Sequence, residues 1–147
     1  MRAEDPGCIT VCHVMRSEDV DAAYRHPRVM VGSDGVTDRG QGHPRAAGTF
    51  PRFLAQYVRG GGISLYDGIA KMTSMPAARL GLTGKGRLNV GADADVVIFD
   101  PERICDRATF AEPALAPVGI DAVLVAGKVA VRDGEIVAGR LGRAVRG

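Results

Sequence analysis

The sequence predicts an α/β segment over residues 1–84 followed by an all-β segment over residues 85–147. Three observations carry that division. A short apolar run, an amphipathic stretch and a second apolar run follow one another between residues 8 and 32, the order of a parallel strand–helix–strand unit. Residues 49–82 then show helical spacing, with helix-start residues ahead of each stretch. After Gly84 the apolar residues come in short runs, and Asp133-Gly134 between two of them is a strong hairpin signal.

Residues 8–14 (CITVCHV) read as a strand buried on both faces, with Cys8 and Cys12 in the core rather than on a metal. Ser17 is a helix N-cap candidate, and Glu18 and Asp19 fall in the first turn, where the helix dipole favours negative charge. His26-Pro27 ends that helix, because the residue before proline avoids helical geometry. Residues 28–32 (RVMVG) read as the second strand, which runs into Asp34. The stretch 35–48 has no periodicity, and loops of that length are commonly functional or disordered.

Thr49 is the expected cap of the next helix, with Pro51 in its first turn and Phe50, Phe53, Leu54, Tyr57 and Val58 as its apolar stripe. Gly60-Gly61-Gly62 terminates it. Ser64 caps a further helix, with Asp67 three residues on in a capping-box arrangement, and Met75-Pro76 starts a short third one. Leu88 with Val90, and then residues 95–100, read as strands. Residues 101–119 are irregular, 121–125 form a strand broken at Gly127, and 128–132 and 135–138 flank the hairpin turn.

Bulk composition excludes several function classes. Lys and Arg total 19 against 17 Asp and Glu, a net charge of +2, too balanced to argue for a nucleic-acid partner. No apolar run approaches the ~20 residues that span a bilayer, so no membrane association is expected. The first residues show no export-signal pattern and the three cysteines are an odd number, so a cytoplasmic chain with reduced thiols is expected.

Asp34 draws attention because carboxyl ends of strands carry function in parallel α/β sheets. An aspartate after Gly-Ser is also an ordinary turn former, and His43-Pro44-Arg45 is also an ordinary surface loop. Read chemically, Asp34 could hold a metal or shuttle a proton for a bound water. Arg45 could clamp a substrate carboxylate with its planar fork, and His43 could bond to substrate or orient a neighbour. Spacing alone leaves both readings open.

Five stretches in one order add a resemblance: GSDG at 32–35, HPR at 43–45, GTFPRFLAQYVR at 48–59, KMTSMPAARLGL at 71–82 and GRLNVGADADVVIFD at 86–100. From about Asp19 to the end, the chain resembles the C-terminal part of the N-acyl-D-amino-acid deacylases (D-aminoacylases) of the amidohydrolase superfamily. The resemblance implies the last piece of a metal-dependent (β/α)8 barrel, with residues 28–33 as the eighth strand and residues 49–82 as the helices after it. Residues 85–142 would then be part of a small β-sandwich.

The resemblance also implies a zinc-dependent hydrolysis of small N-acyl-D-amino acids. Asp34 would be the catalytic carboxylate, at the metal and shuttling a proton. Arg45 would take the substrate's α-carboxylate, and Ser33, Gly35 and His43 would flank the substrate. Two departures stand out: Ala47 where a tyrosine or a similar residue is expected after HPRA, and Ala126-Gly127 where Asn-Gly is expected.

The larger departure is in the ligands. The family's remaining metal ligands include a His-x-His, and this chain has only His13, His26 and His43. A closed barrel needs roughly 200–250 residues. The expectation is therefore a C-terminal fragment that is inactive alone, loses the zinc, and depends on the missing barrel part or on self-association. A dihydroorotase- or hydantoinase-like fragment, and a non-enzymatic binding or assembly module, are the alternative readings.

Overall fold

The structure is a computed structural model and describes residues 12, 14–38 and 41–145. Its helices fall in the first half of the chain and its main sheet in the second, as the sequence predicts.

Helix α1, Ser17–Arg25, ends at His26, whose backbone is extended. Ser17 does not cap it. Arg16 occupies the cap position without a side-chain cap bond and instead pairs with Asp19 one turn on. The segment 29–36 is neither helix nor strand, and no strand ladder forms there among the described residues. The predicted parallel strand–helix–strand unit is thus not assembled here. A strand needs a hydrogen-bonded neighbour, and the Val31 N–H is instead taken by the Lys71 carbonyl at 3.1 Å. The predicted strand at residues 8–14 falls largely outside the described residues. Cys12 is exposed rather than in the core, and Val14 is exposed as well.

The stretch predicted to be a long loop is more ordered than expected. Strands β1 (Thr37–Asp38) and β2 (Gln41–Gly42) pair antiparallel, and helix α2 begins early, at Arg45. Thr49 therefore lies within α2, where its hydroxyl donates to the Arg45 carbonyl at 2.8 Å instead of capping. Pro51, inside α2, has no N–H for the Ala47 carbonyl. Just beyond it the helix widens to π geometry over Leu54–Arg59, closed by Gly60 N–H on the Ala55 carbonyl.

Helix α3, Leu65–Met72, is capped by Ser64 as predicted. Its hydroxyl oxygen accepts from the Asp67 N–H at 3.1 Å and donates to the Asp67 carboxylate at 2.7 Å. Helix α4 is Ser74–Arg79.

The first-half core is Val31, Phe53 and Tyr57, with Tyr24, Val58, Ile63 and Met72 packed around it. The Tyr24, Phe53 and Tyr57 rings meet one another in a triangle, with centroids 5.3 Å (Tyr24–Phe53), 4.7 Å (Tyr24–Tyr57) and 5.7 Å (Phe53–Tyr57) apart. The Tyr57 hydroxyl donates to Asp21 at 2.6 Å, tying the π segment to α1.

In the second half, β3 (Val96–Phe99), β4 (Ile120–Val125), β5 (Lys128–Arg132) and β6 (Glu135–Ile136) form one antiparallel sheet in chain order. Residues 88–90 are not a strand: Leu88 and Val90 are exposed and have no ladder partner. The β5–β6 hairpin turns at Asp133 and Gly134, both with positive φ (51° and 83°), the twist a two-residue turn needs.

Arg59 ties the halves together by donating to the carbonyls of Pro101, Glu102 and Ile104. No described helix is long and apolar enough to cross a membrane.

Candidate active site

Asp34 follows the segment that passes through Val31 and has φ of 46°, a left-handed backbone that aspartate tolerates better than most residues. Its carboxylate is held outward, 85% exposed. Ser33 shapes the bend, its hydroxyl accepting from the Gly35 N–H at 3.3 Å. Gly35 is required by a close approach: a Cβ there would lie 2.6 Å from the Ala46 Cα. The bend is thus pressed against the start of α2.

That contact brings Arg45 onto Asp34. The Arg45 Nη2 lies 2.7 Å from Asp34 Oδ2, and its Nε–H donates to the Asp34 carbonyl at 2.8 Å. One guanidinium therefore grips both side chain and backbone of the aspartate. His43 supports it from behind: its Nδ1 accepts from the Arg45 N–H at 3.1 Å, and its ring meets Phe110 edge-on at 5.1 Å. All five residues singled out in the sequence therefore gather around one bend. Asp34 and Arg45 bear on each other directly, Ser33 and Gly35 shape the turn, and His43 acts through Arg45.

A cavity of about 530 Å³ adjoins this group, lined among others by Tyr24, His43, Arg45, Arg52, Tyr57 and Phe110. Its far wall comes from the irregular segment after β3. Asp106 pins that segment to α2, accepting from Arg52 Nε at 2.9 Å and Nη2 at 2.6 Å. The pair raises the Arg52 pKa, chiefly through the hydrogen bond to Asp106. Asp106 also fills the space a Cβ on Gly48 would take. Nothing in the sequence signalled Asp106 or Phe110, because the stretch that carries them has no periodicity.

A model of the Amidohydrolase family matches residues 7–131 of this chain. The chain belongs to that family. It is 47% identical over 114 residues to an N-acyl-D-glutamate deacylase of Alcaligenes xylosoxydans xylosoxydans, which covers 77% of this chain and 23% of the relative. It is 43% identical over 115 residues to a D-aminoacylase of the same organism, covering 78% and 24%.

Among solved structures, the N-acyl-D-glutamate deacylase of Bordetella bronchiseptica, complexed with zinc and a phosphonate mimic of the tetrahedral intermediate, superposes with a TM-score of 0.82 at 42% identity. It covers 90% of this chain and 28% of its own. The chain thus spans about a quarter of the length of the curated relatives it matches.

The metal of those relatives can be tested against the residues present. Among the described residues, no three or more His, Cys, Asp or Glu side chains lie where they could hold one ion. Asp34 is the carboxylate at the bend, and Arg45 already engages it. His26 is turned to other work, its Nδ1 accepting from the Arg28 N–H. The described donor set does not compose a zinc centre.

Proposed function

We propose that this chain is the C-terminal share of a deacylase that hydrolyses the amide of N-acyl-D-amino acids, with Asp34 as its acid–base carboxylate and Arg45 as its anchor for the substrate's α-carboxylate. The observation that carries the reading is the Asp34–Arg45 grip, in a chain that superposes with a TM-score of 0.82 on a deacylase complexed with zinc. Residues 28–33 would be the last barrel strand, and residues 85–142 a share of a β-sandwich. The exposed apolar side chains of Val14, Leu88, Val90 and Ile136 support a further part of the polypeptide, or a second copy, lying against this one. Zinc donors would come from that part, and the steps assigned to this chain are those its own groups perform.

Asp34 Oδ2 would take a proton from the attacking water as its oxygen adds to the acyl carbon. It would return that proton to the nitrogen as the C–N bond breaks, giving a carboxylate and a free D-amino acid. Arg45 must release Asp34 for this. The pair is solvent-exposed, 43% on the arginine side, so separating it costs on the order of 0.2–1 kcal/mol. A substrate carboxylate can take Asp34's place on Arg45 Nη2 with little net change. Binding would then free the base at the moment it is needed.

The test grafts residues 19–147 onto the Bordetella enzyme in place of its aligned segment and supplies N-acetyl-D-glutamate, N-acetyl-D-aspartate, N-acetyl-D-leucine and their L forms. Release of acetate from D substrates alone is expected. A folded graft that hydrolyses only a cyclic amide such as dihydroorotate would favour the dihydroorotase-like alternative, and one that turns over nothing would favour a binding module.

A further inference from the structure

Lys71, in α3, is only 4% exposed, yet among the described residues no carboxylate forms an ion pair with it. Burying an ammonium is costly, and a well-packed apolar residue of similar volume would avoid that cost. What Lys71 obtains in return is contact with one short segment of chain. Its Nζ donates to the His26 carbonyl at 2.5 Å and to the Val29 carbonyl at 2.8 Å. Its own carbonyl accepts from the Val31 N–H at 3.1 Å. Three bonds from one residue thus hold the turn after α1 and the first part of the segment that leads to Asp34.

The rest of that segment leads straight to the site. Val31 reaches the core beside Phe53 and Tyr57, while Gly32 is exposed. Three residues beyond Val31 the chain must enter the left-handed bend at Asp34 and meet Arg45 with both carboxylate and carbonyl. On the α2 side the bend is held by the Arg45 grip and by the close approach of Gly35 to Ala46, and on the other side Lys71 holds the segment that leads into it. The geometry points to Lys71 as a positioning residue for Asp34, its buried ammonium setting how far the 26–31 segment advances and so where the Asp34 carboxylate stands relative to Arg45. The inference rests on Asp34 being the acid–base group, and it extends that reading to a residue that touches neither substrate nor reacting atoms.

Lys71→Met keeps the volume and removes the donors, and Lys71→Gln keeps one donor should the methionine form not fold. In the full 147-residue chain, amide hydrogen exchange at Val29, Val31 and Gly35 should quicken by about tenfold or more while amides of β4 and β5 keep their rates. The Arg45 Nε–H resonance, held by the Asp34 carbonyl, should shift toward that of a free arginine.

In the grafted enzyme the same variants should lower kcat about 10- to 100-fold with KM nearly unchanged. Unchanged exchange at 29–35, or equal acceleration in the sheet with an unmoved Arg45 signal, would overturn the inference. If the unsubstituted graft proves inactive, the Asp34 reading has failed, and exchange and the Arg45 signal still decide whether Lys71 sets the bend.

Discussion

The Tyr57 hydroxyl offers a stability test that can be worked through. Burial first, and then the hydrogen bond to Asp21, push its pKa from the ordinary value near 10 up to about 12. The folded state thus favours the neutral phenol. A group whose folded pKa is raised contributes stability in full below the unfolded value and loses it as pH rises through the folded one, so the window is about pH 10 to 12.

At pH 11 the unfolded phenol is about tenfold more ionised than the folded one. The loss attributable to Tyr57 is then about 1.4 kcal/mol, from 2.303RT per unit of pH between the two values. Tyr57→Phe keeps the ring against Tyr24 and Phe53 and removes the titrating group. It should cost roughly 1–3 kcal/mol at pH 8, from the lost bond to a carboxylate, and the gap should shrink by about 1.4 kcal/mol at pH 11. Urea unfolding of both proteins at the two pH values measures it. A gap that stays constant or widens at pH 11 would refute the buried, hydrogen-bonded phenol.

Three further outcomes follow from single contacts. Ala126→Asn should stabilise the chain by about 0.5–1 kcal/mol, because Ala126 sits at φ of 50° in the turn after β4, where asparagine is better tolerated; the shift in Tm reports it. Gly35→Ala should destabilise by about 1–3 kcal/mol and loosen the Arg45 contact, since its Cβ meets the Ala46 backbone; denaturant midpoints read the first effect and the Arg45 Nε–H signal the second. Asp95 is held below its usual carboxyl range by Lys85 and then by the Ala126 N–H, so its contribution is present above pH 3.8 and lost as pH falls through the lower folded value. Asp95→Asn should therefore flatten the acid limb of the stability curve, and an unchanged limb would count against that pairing.

Local chemistry was legible in the sequence wherever a residue type enforces its own geometry. Ser64 with Asp67 capped α3, Pro27 ended α1, and Asp133-Gly134 turned the β5–β6 hairpin. Features that need a partner elsewhere in the chain were not legible. Residues 28–32 have the composition of a strand, but no neighbour among the described residues makes them one. Leu88 and Val90 look like core residues and lie in the open. Thr49 looked like a cap because the pairing of β1 with β2 ahead of α2, which lets the helix start at Arg45, has no periodic signature.

At the site, Asp34 and Arg45 could be named from the order of motifs. Their direct grip could not, because it depends on a left-handed aspartate and on Gly35 yielding to Ala46. Lys71 was invisible for the opposite reason. A lysine in a helix reads as solvent-facing until the carbonyls around it are seen.

The most direct measurement compares initial rates of acetate release from N-acetyl-D-glutamate by the grafted enzyme and by its Asp34→Asn form, with matched folding and metal content. If Asp34 carries the proton, the substitution should lower kcat by about 10²–10⁴-fold. Equal rates from the two proteins would contradict the assignment, leaving the bend at Asp34 as a turn and nothing more.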